Sequence, residues 1–331
     1  MGLPGLLAEG FTGLMGQVAQ LMMGTFTGIS ASHLAGIQHL SQLTSLELDC
    51  PNLQFSTAST NSWASSLTAL QRLSLEQCDV HADALAAFTE LRVLSVWGMK
   101  RQATLDSLLI AVSGLPQLTE LSIRIDILSV RPSRPSAACT ALQVSTNLRS
   151  LQLGVAEFSG ATGPRGFDLF TPGTVYPHLR QIDLCYDGGQ PFITRAPVTK
   201  QQLQQLCSCC SGVEDLGLAI SQDLTSDQTH ETFFHLLQLS ALTSLKVSEL
   251  GAATAAAVGV VAQLTGLKQL ILAGVPHLTD LVLMQLTALT ALQGLQLVLP
   301  CLGLKLWSLK LKSPAHSACG MPYCIEAVLS T

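Results

Sequence analysis

Ten times along this chain an apolar residue is followed, after two others, by a second and, after one more, by a third. The triads are Leu43, Leu46, Leu48; Leu70, Leu73, Leu75; Leu91, Leu94, Val96; Leu118, Leu121, Ile123; and Leu148, Leu151, Leu153. They continue as Leu179, Ile182, Leu184; Val213, Leu216, Leu218; Leu242, Leu245, Val247; Leu267, Leu270, Leu272; and Leu292, Leu295, Leu297. Successive triads begin 27, 21, 27, 30, 31, 34, 29, 25 and 25 residues apart. A period of this length marks a stack of short supersecondary units.

The last two members of each triad are two residues apart, so on a strand both point to one side and the residues between and beside them to the other. Between triads the apolar residues step by three, as in Leu85, Phe88, Leu91, Leu94 and again in Leu283, Leu286, Leu289, Leu292. That spacing predicts a helix or tight turn laid against each strand. Val80 precedes Leu85 by five residues, as Leu278 precedes Leu283, so distant units share a finer template than the triad. One unit cannot bury its leucine face alone, whereas stacked units share a continuous core.

The phrase resembles the leucine-rich-repeat family over residues 34–300, and Cys78, three places after Leu75, is similar to its intracellular ribonuclease-inhibitor-like or cysteine-containing subclasses. The equivalent position in other units holds Met99, Asp126, Ala156 or Asp187. The resemblance implies an α/β leucine-rich-repeat solenoid, a curved horseshoe with a parallel β-sheet on the concave face and helices and irregular turns on the convex face. Residues 1–33 would then be an N-terminal cap. Residues 301–331 would hold a cap strand near Leu304–Lys312 and an irregular tail.

Composition narrows the function. Leucine supplies 62 of 331 residues and only 12% are charged, which excludes a disordered polyelectrolyte. A formal net charge of -5 supplies no basic stripe for phosphate, so no nucleic-acid partner is expected. The first 46 residues are broken by glycines and lack a basic start, no stretch is long enough for a membrane span, and a cytoplasmic location is expected. The ten cysteines fit buried, reduced thiols at Cys50, Cys78 and Cys185. Cys207, Cys209 and Cys210 lie about 110 residues from His316, Cys319 and Cys324, so no shared metal site is expected. No catalytic motif is present, and no cofactor is expected.

Two segments depart from the repeat. Residues 129–137 carry Pro132 and Pro135 flanked by Arg131 and Arg134, with Ser133 and Ser136 as phosphate acceptors, and residues 158–177 are rich in glycine and proline. Both predict long loops on one rim.

The outward strand residues form three columns. The candidate partner-binding residues among them are Glu47, Asp49, Arg72, Glu76, Trp97, Glu120, Arg124 and Asp183. Trp97, between Glu76 and Arg124, is expected to stand exposed as a binding anchor, so that Trp97→Ala would leave thermal unfolding nearly unchanged. Ile271, Ala273 and Val298 would form an apolar patch at the last rungs that wants cover. The expected function is a non-enzymatic scaffold holding a partner protein on its concave face. Family members that act as substrate-recognition subunits of cullin-type ubiquitin ligases, through an F-box that binds a ligase adaptor, supply an alternative. Cytoskeletal or axonemal repeat proteins of the cilium supply another, and a cysteine-dependent enzyme is the remaining one.

Overall fold

The structure, a computed structural model, describes residues 19–23, 37, 39–50, 54–55, 65–80, 82–98, 105–126, 142–156, 170, 172–184, 198–220, 224–248, 254–274, 279–298, 306–312 and 324–330. The chain divides into two compact units, residues 1–169 with 187–194, and residues 170–186 with 195–331.

In the first unit six strands run parallel: β1 (Gln20–Met23), β2 (Ser45–Asp49), β4 (Arg72–Glu76), β6 (Val93–Trp97), β7 (Glu120–Asp126) and β8 (Ser150–Ala156). A separate parallel pair joins β3 (Gln54–Phe55) to β5 (Asp79–Val80). Helices α1 (Ala82–Leu85) and α2 (Leu105–Ser113) lie between strands in the chain. Leu108, Leu109 and Val112 share one face of α2 and are buried.

The second unit repeats the plan with β9 (Gln181–Asp183), β10 (Asp215–Ala219), β11 (Ser244–Ser248), β12 (Gln269–Ala273) and β13 (Gly294–Val298), all parallel. Its helices are α3 (Lys200–Cys209), α4 (Ser226–Phe234), α5 (Thr254–Val261) and α6 (Asp280–Leu286). Thr199 and Gln202 form a capping box that starts α3, and Thr225 and Gln228 do the same for α4. Leu203, Leu206 and Cys207 then face the core at helical spacing. The sheet ends differently: β14 (Leu306–Lys312) runs antiparallel to β13, and β15 (Cys324–Ser330) antiparallel to β14.

The strand pairings align every triad with its neighbour. In the first unit Leu46, Leu73, Leu94, Leu121 and Leu151 lie side by side, as do Leu48, Leu75, Val96, Ile123 and Leu153. All are at most 3% exposed, so the core is a leucine ladder between strands and helices. Each such side chain contributes about 1.5–3 kcal/mol through burial. The repeats are also tied by polar contacts at fixed positions. Thr44, Thr119 and Thr243, each just after a triad's first leucine, donate their hydroxyls to the carbonyls of Ala19, Arg92 and Glu214 in the preceding repeat. The Cys78 thiol reaches the carbonyls of Glu76 and, one repeat back, Leu48.

The residue two places after a triad takes a left-handed turn in three repeats: Gln77 at φ 56°, Gly98 at 69° and Gly274 at 71°. Glycine does this without steric cost; Gln77 holds the same conformation with its amide donating to the Trp97 carbonyl at 2.7 Å. In each unit, parallel strands in leucine register with helices between them in the chain make an α/β fold of the leucine-rich-repeat type.

The structure adds detail at one end and changes two expectations. The sheet begins at Gln20, within the segment expected to be an N-terminal cap, where Val18, Leu21 and Met23 repeat the triad with methionine last and start 25 residues before Leu43. The segment 301–331 contributes two strands where one strand and an irregular tail are expected. The loop over 158–177 is not wholly extruded: Phe170 and Tyr176 are buried, with ring centroids 5.9 Å apart in an edge-to-face arrangement. The Pro132/Pro135 motif, its arginines and serines, Cys185, His316 and Cys319 lie outside the described residues.

Candidate functional site

The strand face turned away from the leucine core carries the expected columns. In the first unit the register runs Ser45, Arg72, Val93, Glu120, Ser150 along one column. The central column runs Glu47, Ser74, Ser95, Ser122, Gln152, and the third Asp49, Glu76, Trp97, Arg124, Gly154. Adjacent rungs are separated by about 4.8 Å. Seven of the eight expected residues therefore share one face of one unit. Arg72 and Glu120 are exposed, while Glu47, Asp49, Glu76, Trp97 and Arg124 are half-buried.

Trp97 does not stand free of the sheet as expected. It is half-buried and its indole nitrogen is shut off from water. Glu76 and Arg124 flank it in register, and long side chains on both adjacent rungs are able to cover a ring between them.

Asp183 belongs to the second unit, where its partner is one the strand columns alone do not single out. Lys246 Nζ lies 3.6 Å from Asp183 Oδ2. The two strands that carry them, β9 and β11, flank β10, and the residue in register between them is Gly217. With no side chain at Gly217, the lysine stem spans a whole rung. Asp215, on β10, stands beside this pair. Burial raises its carboxyl above the usual range, a hydrogen bond with Ser244 opposes the rise, Asp183 adds to it and Lys246 lowers it. Ile271 and Ala273 are half-buried, so the apolar patch expected at the last rungs is not an exposed one at these two positions; the side chain of Val298 lies outside the description.

Met22 is the residue that pattern reading missed. It sits on β1 opposite Glu47, extends the central column by one rung, and is 74% exposed. The triad of Val18, Leu21 and Met23 is the signal that finds it.

The cysteines Cys50, Cys78, Cys207, Cys209 and Cys210 are buried and reduced. Burial first, opposed by backbone hydrogen bonds and aided by the neighbouring Cys50 and Asp49, pushes the Cys78 thiol up to about 12. Burial likewise pushes Cys207 up to about 12 and raises Cys50 and Cys210. At neutral pH such groups are thiols, poor nucleophiles and poor metal ligands. Among the described residues no group of three His, Cys, Asp or Glu gathers to hold a metal, and no helix is long and apolar enough to cross a membrane.

No family model and no curated protein matches the chain. Among solved structures it is similar to one described as the crystal structure of a TLR13-ssRNA13 complex, at 18% identity and a TM-score of 0.42. The similarity covers 80% of this chain and 36% of that one, so the chain spans about a third of that structure's length.

Proposed function

We propose that this chain is a non-enzymatic scaffold that binds a partner protein on the strand face of its first unit. The observation that carries the reading is the strand register itself, which sets Glu47, Asp49, Arg72, Glu76, Trp97, Glu120 and Arg124 side by side on one face. By strand alternation these side chains lie on the face opposite the leucine ladder. A face mixing aromatic, arginine and carboxylate groups around small residues suits protein recognition. The buried, protonated thiols support leaving catalysis out of the proposal.

The test places a photo-crosslinking residue at Ser95, beside Trp97 on this face, and separately at Leu281, which is exposed on α6. The expected result is a cross-linked protein specific to position 95 that is lost in Trp97→Ala. Because Trp97 is half-buried, that substitution also loosens β6, so Arg72→Ala, exposed on the same face, accompanies it. Identical products from both positions, unchanged by either substitution, would remove the face from the function.

A further inference from the structure

The second unit carries a pocket of about 300 Å³ where the starts of α3 and α4 come together. Val198, Thr199 and Lys200 line it from the start of α3, Leu224 from the residue before the α4 cap, and Gln228, Glu231 and Thr232 from α4 itself. The Val198 amide donates to the Ala219 carbonyl at 2.8 Å, which ties that wall to the end of β10. An apolar cavity of about 150 Å³ holds benzene, so this pocket has room for one or two rings.

The pocket is graded from floor to mouth. Val198 and Thr232 are each 1% exposed and Leu224 is half-buried, whereas Thr199, Lys200, Gln228 and Glu231 are exposed. Lys200 pairs with Glu231, so an ion pair joins the two helices on the solvent side.

The polar groups around the pocket are already engaged within the protein. The Gln202 amide donates to the Thr199 hydroxyl, and the Thr225 amide donates to the Gln228 side-chain oxygen. The Thr232 hydroxyl donates to the Gln228 carbonyl at 2.6 Å. Water resting on Val198 and Leu224 therefore finds few of the partners that hold a buried water in place. An apolar body that displaces poorly held water gains affinity.

Charge selects against an ionic ligand. Lys200 and Glu231 each already face the opposite sign, so an incoming carboxylate competes with Glu231 and an ammonium with Lys200. A neutral ring leaves the pair intact.

We propose that this pocket binds a small neutral molecule of one or two rings, with its apolar body on Val198, Leu224 and Thr232 and its outer edge beside the Lys200–Glu231 pair. The site belongs to the second unit alone and is independent of the binding face proposed above.

The test titrates the full chain, labelled at its valine, leucine and threonine methyls, with indole, with indole-3-carboxylate and with tryptamine, and follows the methyl resonances by NMR. With indole the signals of Val198, Leu224 and Thr232 should shift together along one curve, with a Kd of about 1 mM or below. The carboxylate and the amine should bind about tenfold more weakly. Leu224→Ala should weaken indole about fivefold. Lys200→Gln, an exposed change that leaves Glu231 without its partner, should keep indole within about twofold and strengthen tryptamine about threefold. Glu231→Gln should do the same for indole-3-carboxylate.

No saturable shift at those three residues, charged compounds that bind as tightly as indole, or an indole affinity in Leu224→Ala within about twofold of wild type would each overturn the proposal. Should Leu224→Ala fail to fold, the two exposed variants decide. Tryptamine and indole-3-carboxylate affinities unmoved by Lys200→Gln and Glu231→Gln would place the ring elsewhere and overturn it equally.

Discussion

Leu216→Ala is expected to cost about 3–5 kcal/mol, the upper part of the range for leucine truncations. Leu216 on β10 is fully buried, and its register neighbours Ile182 on β9 and Leu245 on β11 are also fully buried. The substitution removes three carbon groups at about 0.8 kcal/mol each, or ~2.4 kcal/mol of transfer free energy. Strands pinned in register on both sides cannot close over the space, so a cavity penalty is added. Leu21 on β1 provides the comparison: it is half-buried and has one paired strand, so Leu21→Ala should cost only about 1 kcal/mol. Stacked repeats lose neighbours separately, so a single unfolding curve does not report one free energy. Hydrogen exchange read by mass spectrometry across a urea series resolves the loss strand by strand. Exchange should quicken across β9, β10 and β11 together in the Leu216 variant. Equal costs for the two truncations, or a loss confined to β10, would refute the picture of a ladder that shares its core between rungs.

Acid should weaken the second unit through His235, which lies in a short 3-10 turn after α4 and keeps both ring nitrogens away from water and from any partner among the described residues. Burial, and then the nearby Lys200, lower its proton affinity in the fold. The unfolded chain therefore binds the proton more readily near pH ~6.5, and stability is lost as pH falls through that value toward the lower folded one. Urea midpoints at about pH 7 and pH 5 should show less acid loss in His235→Phe than in the wild type; equal losses would acquit the histidine. Iodoacetamide should spare Cys50, Cys78, Cys207, Cys209 and Cys210 in the folded protein and label all five in concentrated guanidinium chloride, as peptide mass spectrometry would show. Rapid native labelling of Cys78 or Cys207 would contradict a closed core.

The strands were legible because alternation of buried and outward residues has a period of two and each triad repeats it. The same alternation names the outward residues, so the columns of the first unit could be written before any coordinate. It does not say how deep a side chain lies. Trp97 is outward by period and yet half-buried, because depth depends on what the side chains of neighbouring strands cover, and period says nothing of that. The contact between Lys246 and Asp183 was hidden for a similar reason: it needs the gap at Gly217, a property of three strands together. Met22 was missed for a simpler cause, a methionine in the last place of a triad read for leucine, valine and isoleucine. Phe170 and Tyr176 lie among glycines and prolines with no period, and only packing draws them inward.

The reversal of direction at β14 limits how this architecture can grow. A duplicated unit placed among β2, β4, β6 and β7, or among β9 to β12, would meet edges of matching polarity and slanted bonds on either side. The same unit placed after β14 would meet a strand running the opposite way, where that hydrogen-bond pattern does not continue. Lengthening by insertion among the parallel strands is therefore compatible with the ladder, while insertion against β14 is not.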